Sequence, residues 1–266
     1  TVPETIVISR DVREHLRPRT VSDLRGEVAW DKTRRTKLKK AVEREGGLAK
    51  CFPLILKAER PKTAEEWPEP YEILELLLRT KDDALIARCR KIAEDLWGTL
   101  DLTSLDHFPI RVRILATCPE KSDWAAIVAK EALEKSQWGV VDLLNQSLTD
   151  PDLVVEVGKR WGIMPSIANV LLTLGEKATA VLTDLLPLAK NATQESSILN
   201  PMEGIGTPAT AEFFVAHLRQ KQVRPHATSF FARFPHLARP ALGELAKKKT
   251  QVAGVARTIL EGVERA

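Results

Sequence analysis

The 266-residue chain is poor in the residues that build β-rich or cross-linked folds. It has 13 glycines, one tyrosine and three cysteines, and so little glycine and tyrosine argues against a β-rich fold. Cys51, Cys89 and Cys118 are odd in number, far apart and outside any Cys-x-x-Cys motif, which argues against a disulfide framework or a zinc site. We therefore expect buried free thiols in a reducing compartment.

Long apolar runs are also missing. No run approaches the roughly 20 residues that a membrane-spanning helix needs, and the N-terminus lacks the apolar core of a signal peptide. With 44% hydrophobic residues, the chain can still bury a sizeable core. We expect a cytoplasmic, intracellular protein that has no membrane partner.

Catalytic motifs are scarce as well. The five histidines are scattered, and none lies four residues from another in a predicted helix, a spacing that metal sites favour. There is no Gly-x-Gly-x-x-Gly, Walker-type or Gly-x-Ser-x-Gly motif. These absences lower the expectation of catalysis, and they predict neither a metal nor a cofactor.

What the chain does contain is a helical repeat. Three C-terminal segments align without a gap when Leu174, Ile205 and Phe234 are set in register, 31 and then 29 residues apart. Apolar residues recur in steps of 3, 4 and 7, which places them on one face of a helix. Each segment therefore predicts a pair of helices. The aligned columns are Ile167, Ile198 and Ala227; Leu171, Met202 and Phe231; Ala178, Ala209 and Ala238; Leu182, Phe213 and Leu242; and Leu185, Ala216 and Leu245.

Weaker copies precede these three, with turns predicted near residues 118, 148, 174, 205 and 234. Asp150 is predicted to be the N-cap of a helix that begins at Pro151 and ends at Gly162. Ser122 is predicted to cap another helix, and a last helix through Val252 and Ile259 would close the array. We divide the chain into an N-terminal arm and basic helix (residues 1–60), a Pro-rich connector (61–70) and helical repeats (71–266).

The N-terminal region does not follow the repeat. Residues 5–8 (Thr-Ile-Val-Ile) have β propensity but no neighbouring strand signal, so we expect an irregular arm there. Residues 31–44 predict a helix, closed by Gly46 and Gly47.

The repeat pattern resembles that of HEAT-like proteins, in which antiparallel helix pairs are joined by short turns containing Gly or Pro. The resemblance rests on Gly175, Gly206 and Pro235 at the turns and on alanine-rich second helices such as residues 178–182. It implies an all-α, right-handed α-solenoid whose concave face binds a peptide, a protein surface or a nucleic-acid backbone. The repeats are also faintly similar to repeat segments of molybdate-regulator-like bacterial proteins.

Charge is distributed unevenly along the chain. The net charge is +4 for residues 1–70, −4 for residues 71–190 and +4 for residues 191–266, a distribution that does not favour one uniform nucleic-acid groove. Two basic clusters are candidate partner-binding sites. They contain Lys32, Arg34, Arg35, Lys37 and Lys39 in the predicted basic helix, and Arg224, Arg233 and Arg239 around the repeat turns.

One short segment carries a catalytic resemblance. Residues 135–142 resemble the part of HEAT-like alkylpurine DNA glycosylases in which an aspartate follows a tryptophan by four residues. The resemblance gives Trp138 the role of holding a cationic damaged base and Asp142 that of stabilising the developing positive charge at the sugar. The structural interpretation is that Trp138 packs at a helix end that Gly139 terminates, as Trp97 and Trp161 would before Gly98 and Gly162. We favour that interpretation and expect a buried indole.

The sequence therefore predicts a non-enzymatic helical-repeat scaffold that binds a protein or peptide partner, either as a separate protein or as a module of a larger one. The first alternative is nucleic-acid binding through the two basic clusters. The second is base-excision chemistry at Trp138 and Asp142.

Overall fold

The computed structural model describes residues 5–9, 12, 32–57, 77 and 82–265. Apart from one isolated β-bridge, every regular element in these residues is helical, which confirms the predicted all-α class. Contacts divide the chain into two compact units. We call Arg17–Leu148 the N-terminal unit, and Thr149–Ala266 together with Thr1–Leu16 the C-terminal unit. The predicted connector, residues 61–70, lies outside the described residues.

The N-terminal unit contains six described α-helices. Short 3-10 turns at Leu105–His107 and Trp138–Val140 precede the fourth and the sixth of them. The helices are α1 Lys32–Arg44, α2 Leu48–Leu56, α3 Asp83–Thr99, α4 Phe108–Thr117, α5 Ser122–Lys135 and α6 Val141–Ser147.

Local chemistry explains most of these boundaries. α1 ends before Gly46 and Gly47, which both have φ above 90°, a conformation that glycine adopts without steric cost. Asp82 caps α3 by accepting a hydrogen bond from the Leu85 N–H at 3.0 Å. The predicted cap at Ser122 is wrong, because Lys121 occupies the N-cap position of α5 and no side chain caps that end.

The three cysteines are free and buried, as predicted. Burial raises the pKa of all three thiols, that of Cys89 to about 11. Because the thiolate is the reactive form, a raised pKa keeps these side chains chemically inert at neutral pH. They act as small apolar core residues.

The C-terminal unit contains eight described α-helices. Short 3-10 turns at Pro165–Ala168, Gly175–Lys177 and Leu186–Leu188 interrupt its first half. The helices are α7 Pro151–Trp161, α8 Asn169–Leu174, α9 Ala178–Leu185, α10 Ala192–Met202, α11 Pro208–His217, α12 Val223–Arg233, α13 Pro235–Ala246 and α14 Gln251–Arg265.

Several predicted boundaries of this unit are confirmed. The Asp150 carboxylate accepts hydrogen bonds from the N–H groups of Asp152 and Leu153, and Gly162 ends α7 with φ of 85°. Turns lie at the predicted positions near residues 174, 205 and 234. α14 forms the predicted last helix and packs extensively along α13.

The helices of the C-terminal unit pack in two interleaved series. Contacts join α7 to α9, α9 to α11 and α11 to α13, while α10 contacts α12 and α12 contacts α14. Sequence neighbours also contact each other, as α11 does with α12 and α13 with α14. Helices α9, α11 and α12 each touch both the next helix and the one after it, which is how repeated helix pairs bury their apolar faces.

The aligned apolar columns form most of this core. Every residue of the columns headed by Ile167, Leu171 and Leu182 is buried. Two columns depart from the prediction. Ala178 and Ala238 are buried but Ala209 is exposed, and Leu185 is buried but Ala216 is exposed and Leu245 only half-buried. Within the described ranges, no helix is long and apolar enough to span a membrane.

Candidate functional site

A short extended segment lies against the repeat turns of the C-terminal unit. The Val7 N–H donates a hydrogen bond to the Gly204 carbonyl oxygen at 2.8 Å, and the Gly206 N–H donates to the Thr5 carbonyl oxygen at 2.7 Å. Ile6 and Ile205 thus face each other as an antiparallel bridge. This is the non-hydrogen-bonded type of pair, whose side chains approach closely. We call residues 5–9 the arm, and Gly175, Glu176, Gly204, Ile205 and Gly206 the arm slot.

Two successive side chains of the arm differ sharply in burial, as they do in an extended strand that packs on one face. Ile6 is only 7% exposed, whereas Val7 is 40% exposed. A Cβ placed on Gly175 would lie 3.7 Å from Ile6 Cδ1, so the turn after α8 forms part of the pocket for Ile6. The Thr5 hydroxyl donates a hydrogen bond to Glu176 Oε1 at 2.6 Å.

Two glycines of the slot allow neighbouring groups to approach its main chain closely. A Cβ on Gly204 would lie 2.2 Å from the Val7 carbonyl oxygen, and a Cβ on Gly206 would lie 2.4 Å from the Phe234 ring. Any larger residue at Gly204 would collide with the arm, whereas one at Gly206 would collide with the core. The missing side chain at Gly204 therefore makes room for the arm, whereas that at Gly206 makes room for a core side chain.

Two side chains of α12, His226 and Arg233, brace the turn that bears the slot. His226 Nδ1 lies 2.5 Å from Glu203 Oε1, and Arg233 Nη1 donates to the Glu203 carbonyl oxygen at 3.3 Å. Glu203 is the residue that follows the last turn of α10, where unpaired carbonyl groups favour positively charged neighbours. These contacts fix the main chain immediately before Gly204.

Of the three predicted partner-binding arginines of this unit, Arg224 and Arg233 lie at the two ends of α12 and Arg239 lies within α13. Arg224 donates from Nε to the Leu218 carbonyl oxygen at 3.0 Å, just beyond α11, and Arg233 braces Glu203 as described above. Arg239 is exposed and forms an ion pair with Glu264 at 2.7 Å. Arg224 and Arg233 thus each bind a main-chain carbonyl at a repeat turn.

The predicted basic cluster of the N-terminal unit lies on α1. Lys32, Arg34 and Arg35 belong to that helix, although their side chains lie outside the described part of the structure. Lys37 and Lys39 are exposed, and Lys39 forms an ion pair with Glu43 at 3.7 Å. Leu38 and Val42, one helical turn apart, are buried. Helix α1 is therefore amphipathic, with these lysines on its solvent side.

The expectation of a buried Trp138 is wrong. Trp138 is 68% exposed, the most exposed large apolar side chain in the described residues. α5 already ends at Lys135, and Ser136, not Gly139, adopts the left-handed conformation, with φ of 57°. Trp138 then begins a separate 3-10 turn, Trp138–Val140. Asp142, in the first turn of α6, is exposed as well.

The other two Trp-Gly pairs also differ from each other. Trp97 is buried and stacks on Trp124, with ring centroids 4.5 Å apart, but Gly98 lies inside α3 and does not end it. Trp161 is half-buried at the end of α7, and Gly162 terminates that helix as predicted. The dipeptide marks a helix end at only one of its three occurrences.

Sequence reasoning did not identify Thr5, Ile6, Glu176 and Gly204 as candidate site residues. The signal that could have found them is the Gly204-Ile205-Gly206 triplet, since the equivalent turns at Gly175 and Pro235 have no second glycine. Among the described residues, no three His, Cys, Asp or Glu side chains are grouped to hold a metal ion. Compared with known proteins, the chain matches no family model, no curated protein and no solved structure.

Proposed function

We propose that the chain is a HEAT-like helical-repeat module that binds a protein partner by accepting an extended segment of that partner in the arm slot. The observation that supports this proposal is the arm itself. The slot offers one main-chain donor at Gly206, one main-chain acceptor at Gly204 and a pocket for one apolar side chain. Adding a strand in this way is a recurrent mode of peptide recognition.

The packing of the C-terminal unit supports the repeat architecture within this proposal. Helices α9, α11 and α12 each contact both the next helix and the one after it, as stacked antiparallel pairs do. We propose the right-handed α-solenoid that the sequence resemblance implies. The slot then lies at the turns within two successive pairs, where one extended segment can contact two repeats at once.

Among the described residues, the arm is held by few interactions. One buried side chain, two main-chain hydrogen bonds and one hydroxyl contact fix it to the slot, while ordering an extended segment costs conformational entropy at every residue. Its contact with Ile205 also closes a loop of nearly two hundred residues. Segments with so few contacts open more readily than a helical core, so we infer that a partner segment can replace the arm.

The test uses a fluorescent peptide with the sequence of residues 2–10 and fluorescence polarisation. We expect the chain carrying Ile6→Asp to bind this peptide, because its own arm can no longer fill the pocket. The unaltered chain should bind at least about tenfold more weakly, because its arm competes at high effective concentration. Val7→Pro, which removes the N–H that pairs with Gly204, is a second way to release the arm.

The control for this test compares two glycines. In the Ile6→Asp chain, Gly204→Ala should abolish peptide binding, because the added Cβ occupies the position of the ligand carbonyl. Gly243→Ala, where a Cβ meets nothing within 4 Å, should leave binding unchanged. Failure of both folded arm-release variants to bind the peptide would refute the proposal.

A second candidate function is base excision at Trp138 and Asp142, and the exposure of both side chains favours it. An accessible indole can contact a cationic base by cation–π attraction. A carboxylate four residues later can favour positive charge that develops at the sugar. The buried indole that we expected from the sequence would have prevented both contacts.

Release of alkylated purines from damaged duplex DNA tests this candidate. If it is correct, the intact chain releases them above background, and Asp142→Asn lowers the rate by at least about a hundredfold because a neutral amide cannot offset the developing charge. Asp123→Asn, at the start of α5 in the same unit, is the control and should retain the rate. Release at the level of the uncatalysed reaction would eliminate the candidate.

A further inference from the structure

The part of the arm slot that contacts Thr5, the first residue of the arm, bears the carboxylate of Glu176. Thr5 donates its hydroxyl proton to Glu176 Oε1 at 2.6 Å, and the carbonyl of the same Thr5 accepts the Gly206 N–H at 2.7 Å. The main-chain bond fixes where the side chain of this residue points. Any segment that pairs in the same register therefore places its equivalent side chain against the Glu176 carboxylate.

A carboxylate accepts hydrogen bonds and donates none when it is ionised. A hydroxyl side chain satisfies it, whereas a valine, which has nearly the same shape as threonine, offers no donor. A phosphate group adds about 1.5 to 2 negative charges at neutral pH, and these would lie beside the negative charge of Glu176. A phosphorylated or acidic residue at this position is therefore repelled.

The next two positions have different requirements. Ile6 is buried opposite Ile205, so the second position needs an apolar side chain, and a β-branched one suits the extended backbone. Val7 is exposed, so the third position tolerates polar residues. Its N–H must remain, because it donates to Gly204.

We propose that Glu176 is a specificity-determining residue of the arm slot. The slot takes extended polypeptide segments in which an unmodified serine or threonine precedes a β-branched apolar residue, and it rejects the same segments when the hydroxyl is phosphorylated. This inference rests on the proposed function, because it specifies which segments the peptide site accepts. It also makes the arm a ligand that phosphorylation of Thr5 would release.

The experiment measures the affinity of the Ile6→Asp chain for variants of the peptide of residues 2–10. We expect Thr5→Ser to bind like the parent peptide, and Thr5→Val to bind about threefold to tenfold more weakly because one charge-assisted hydrogen bond is lost. The peptide with phosphothreonine at position 5 should bind at least about tenfold more weakly. Val7→Lys should change the affinity by less than about threefold.

Charge reversal at Glu176 separates recognition from a structural role. In the Ile6→Asp chain with Glu176→Arg, the order should invert, and the phosphorylated peptide should bind more tightly than the unmodified one because arginine pairs with phosphate. Lys177→Glu on the adjacent exposed residue is the matched control and should not invert the order. A merely structural Glu176 would lower both affinities together.

The outcomes distinguish the two proposals. Equal binding of the parent, Thr5→Val and phosphorylated peptides would overturn the role of Glu176 and leave the peptide site in place. The same conclusion would follow if Glu176→Arg weakened every peptide equally. Absence of binding by the unmodified peptide would overturn the site itself, and with it the specificity.

Discussion

Truncating either Leu182 or Phe231 to alanine is expected to lower the free energy of unfolding of the C-terminal unit by about 2–5 kcal/mol. Both side chains are fully buried, Leu182 in α9 and Phe231 in α12. Each truncation removes apolar contact and leaves a cavity that the neighbouring helices fill only in part. Urea denaturation followed by circular dichroism measures the loss.

The aromatic neighbours of Phe231 indicate which of the two changes costs more. Its ring meets Phe230 edge to face at 5.0 Å between centroids, and Phe230 in turn contacts Phe214 and Phe234. Such pairs add to the free energy of burial, so Phe231→Ala should lie at the upper end of the range. Because each repeat rests on its neighbours, the loss should extend to adjacent helices, which amide hydrogen exchange would report.

Two milder changes serve as controls. Phe231→Leu keeps most of the buried volume and should cost less than Phe231→Ala. Glu212→Ala, at an exposed position of α11, should change stability by no more than about 0.5 kcal/mol. A loss below about 1 kcal/mol for both Leu182→Ala and Phe231→Ala would contradict the register on which the repeat is based.

The sequence predicts the elements of this fold where the determinants are local. The whole of α7 could be derived from Asp150, Pro151 and Gly162, because capping, a proline at the first helical position and a glycine after the last turn act over a few residues. The buried columns of the repeat alignment follow equally directly from the spacing of apolar residues in steps of 3, 4 and 7. Leu171, Met202 and Phe231 occupy one column and are all buried.

The gapless alignment of the three repeats no longer matches equivalent helix positions where the turns differ in length. α9 begins four residues after Leu174 and α13 one residue after Phe234, whereas α11 begins three residues after Ile205. Thr207 fixes that start, because its hydroxyl accepts a hydrogen bond from the Thr210 N–H. Ala209 consequently lies in solvent and Thr210 in the core, which apolar periodicity alone does not reveal.

The candidate site could not be predicted because it depends on contacts distant in sequence. Ile6 pairs with Ile205, and nothing next to Ile6 in the sequence specifies that partner. A three-residue pairing also has no repeated pattern from which register could be read. For Trp138 the failure is local, since Ser136 adopts the left-handed conformation that glycine usually provides.

A buried ion pair holds part of the N-terminal unit, and breaking it gives the second large expected effect. Arg111 in α4 is fully buried. It donates from Nε to Glu131 Oε2 at 2.9 Å, and its Nη atoms donate to the carbonyl oxygens of Asp101 and Ser104. Lys135 also pairs with Glu131. The guanidinium group thus joins two helices and the loop before α4.

Glu131→Ala is expected to lower the free energy of unfolding of this unit by about 3–5 kcal/mol, because Arg111 would stay buried without its counter-charge. Glu134→Ala, exposed on the same helix, is the matched control and should change stability by no more than about 0.5 kcal/mol. Urea denaturation of both variants at neutral pH, followed by circular dichroism, measures the difference.

The double variant Arg111→Met with Glu131→Leu identifies the cause of that loss. If an uncompensated buried charge is responsible, replacing both partners by apolar residues removes it, and the double variant should be more stable than Glu131→Ala alone. The losses of the single variants Arg111→Met and Glu131→Leu would then be strongly non-additive, as expected for residues in contact. Simple addition of the two losses would instead show that packing volume, and not charge, determines stability at this position.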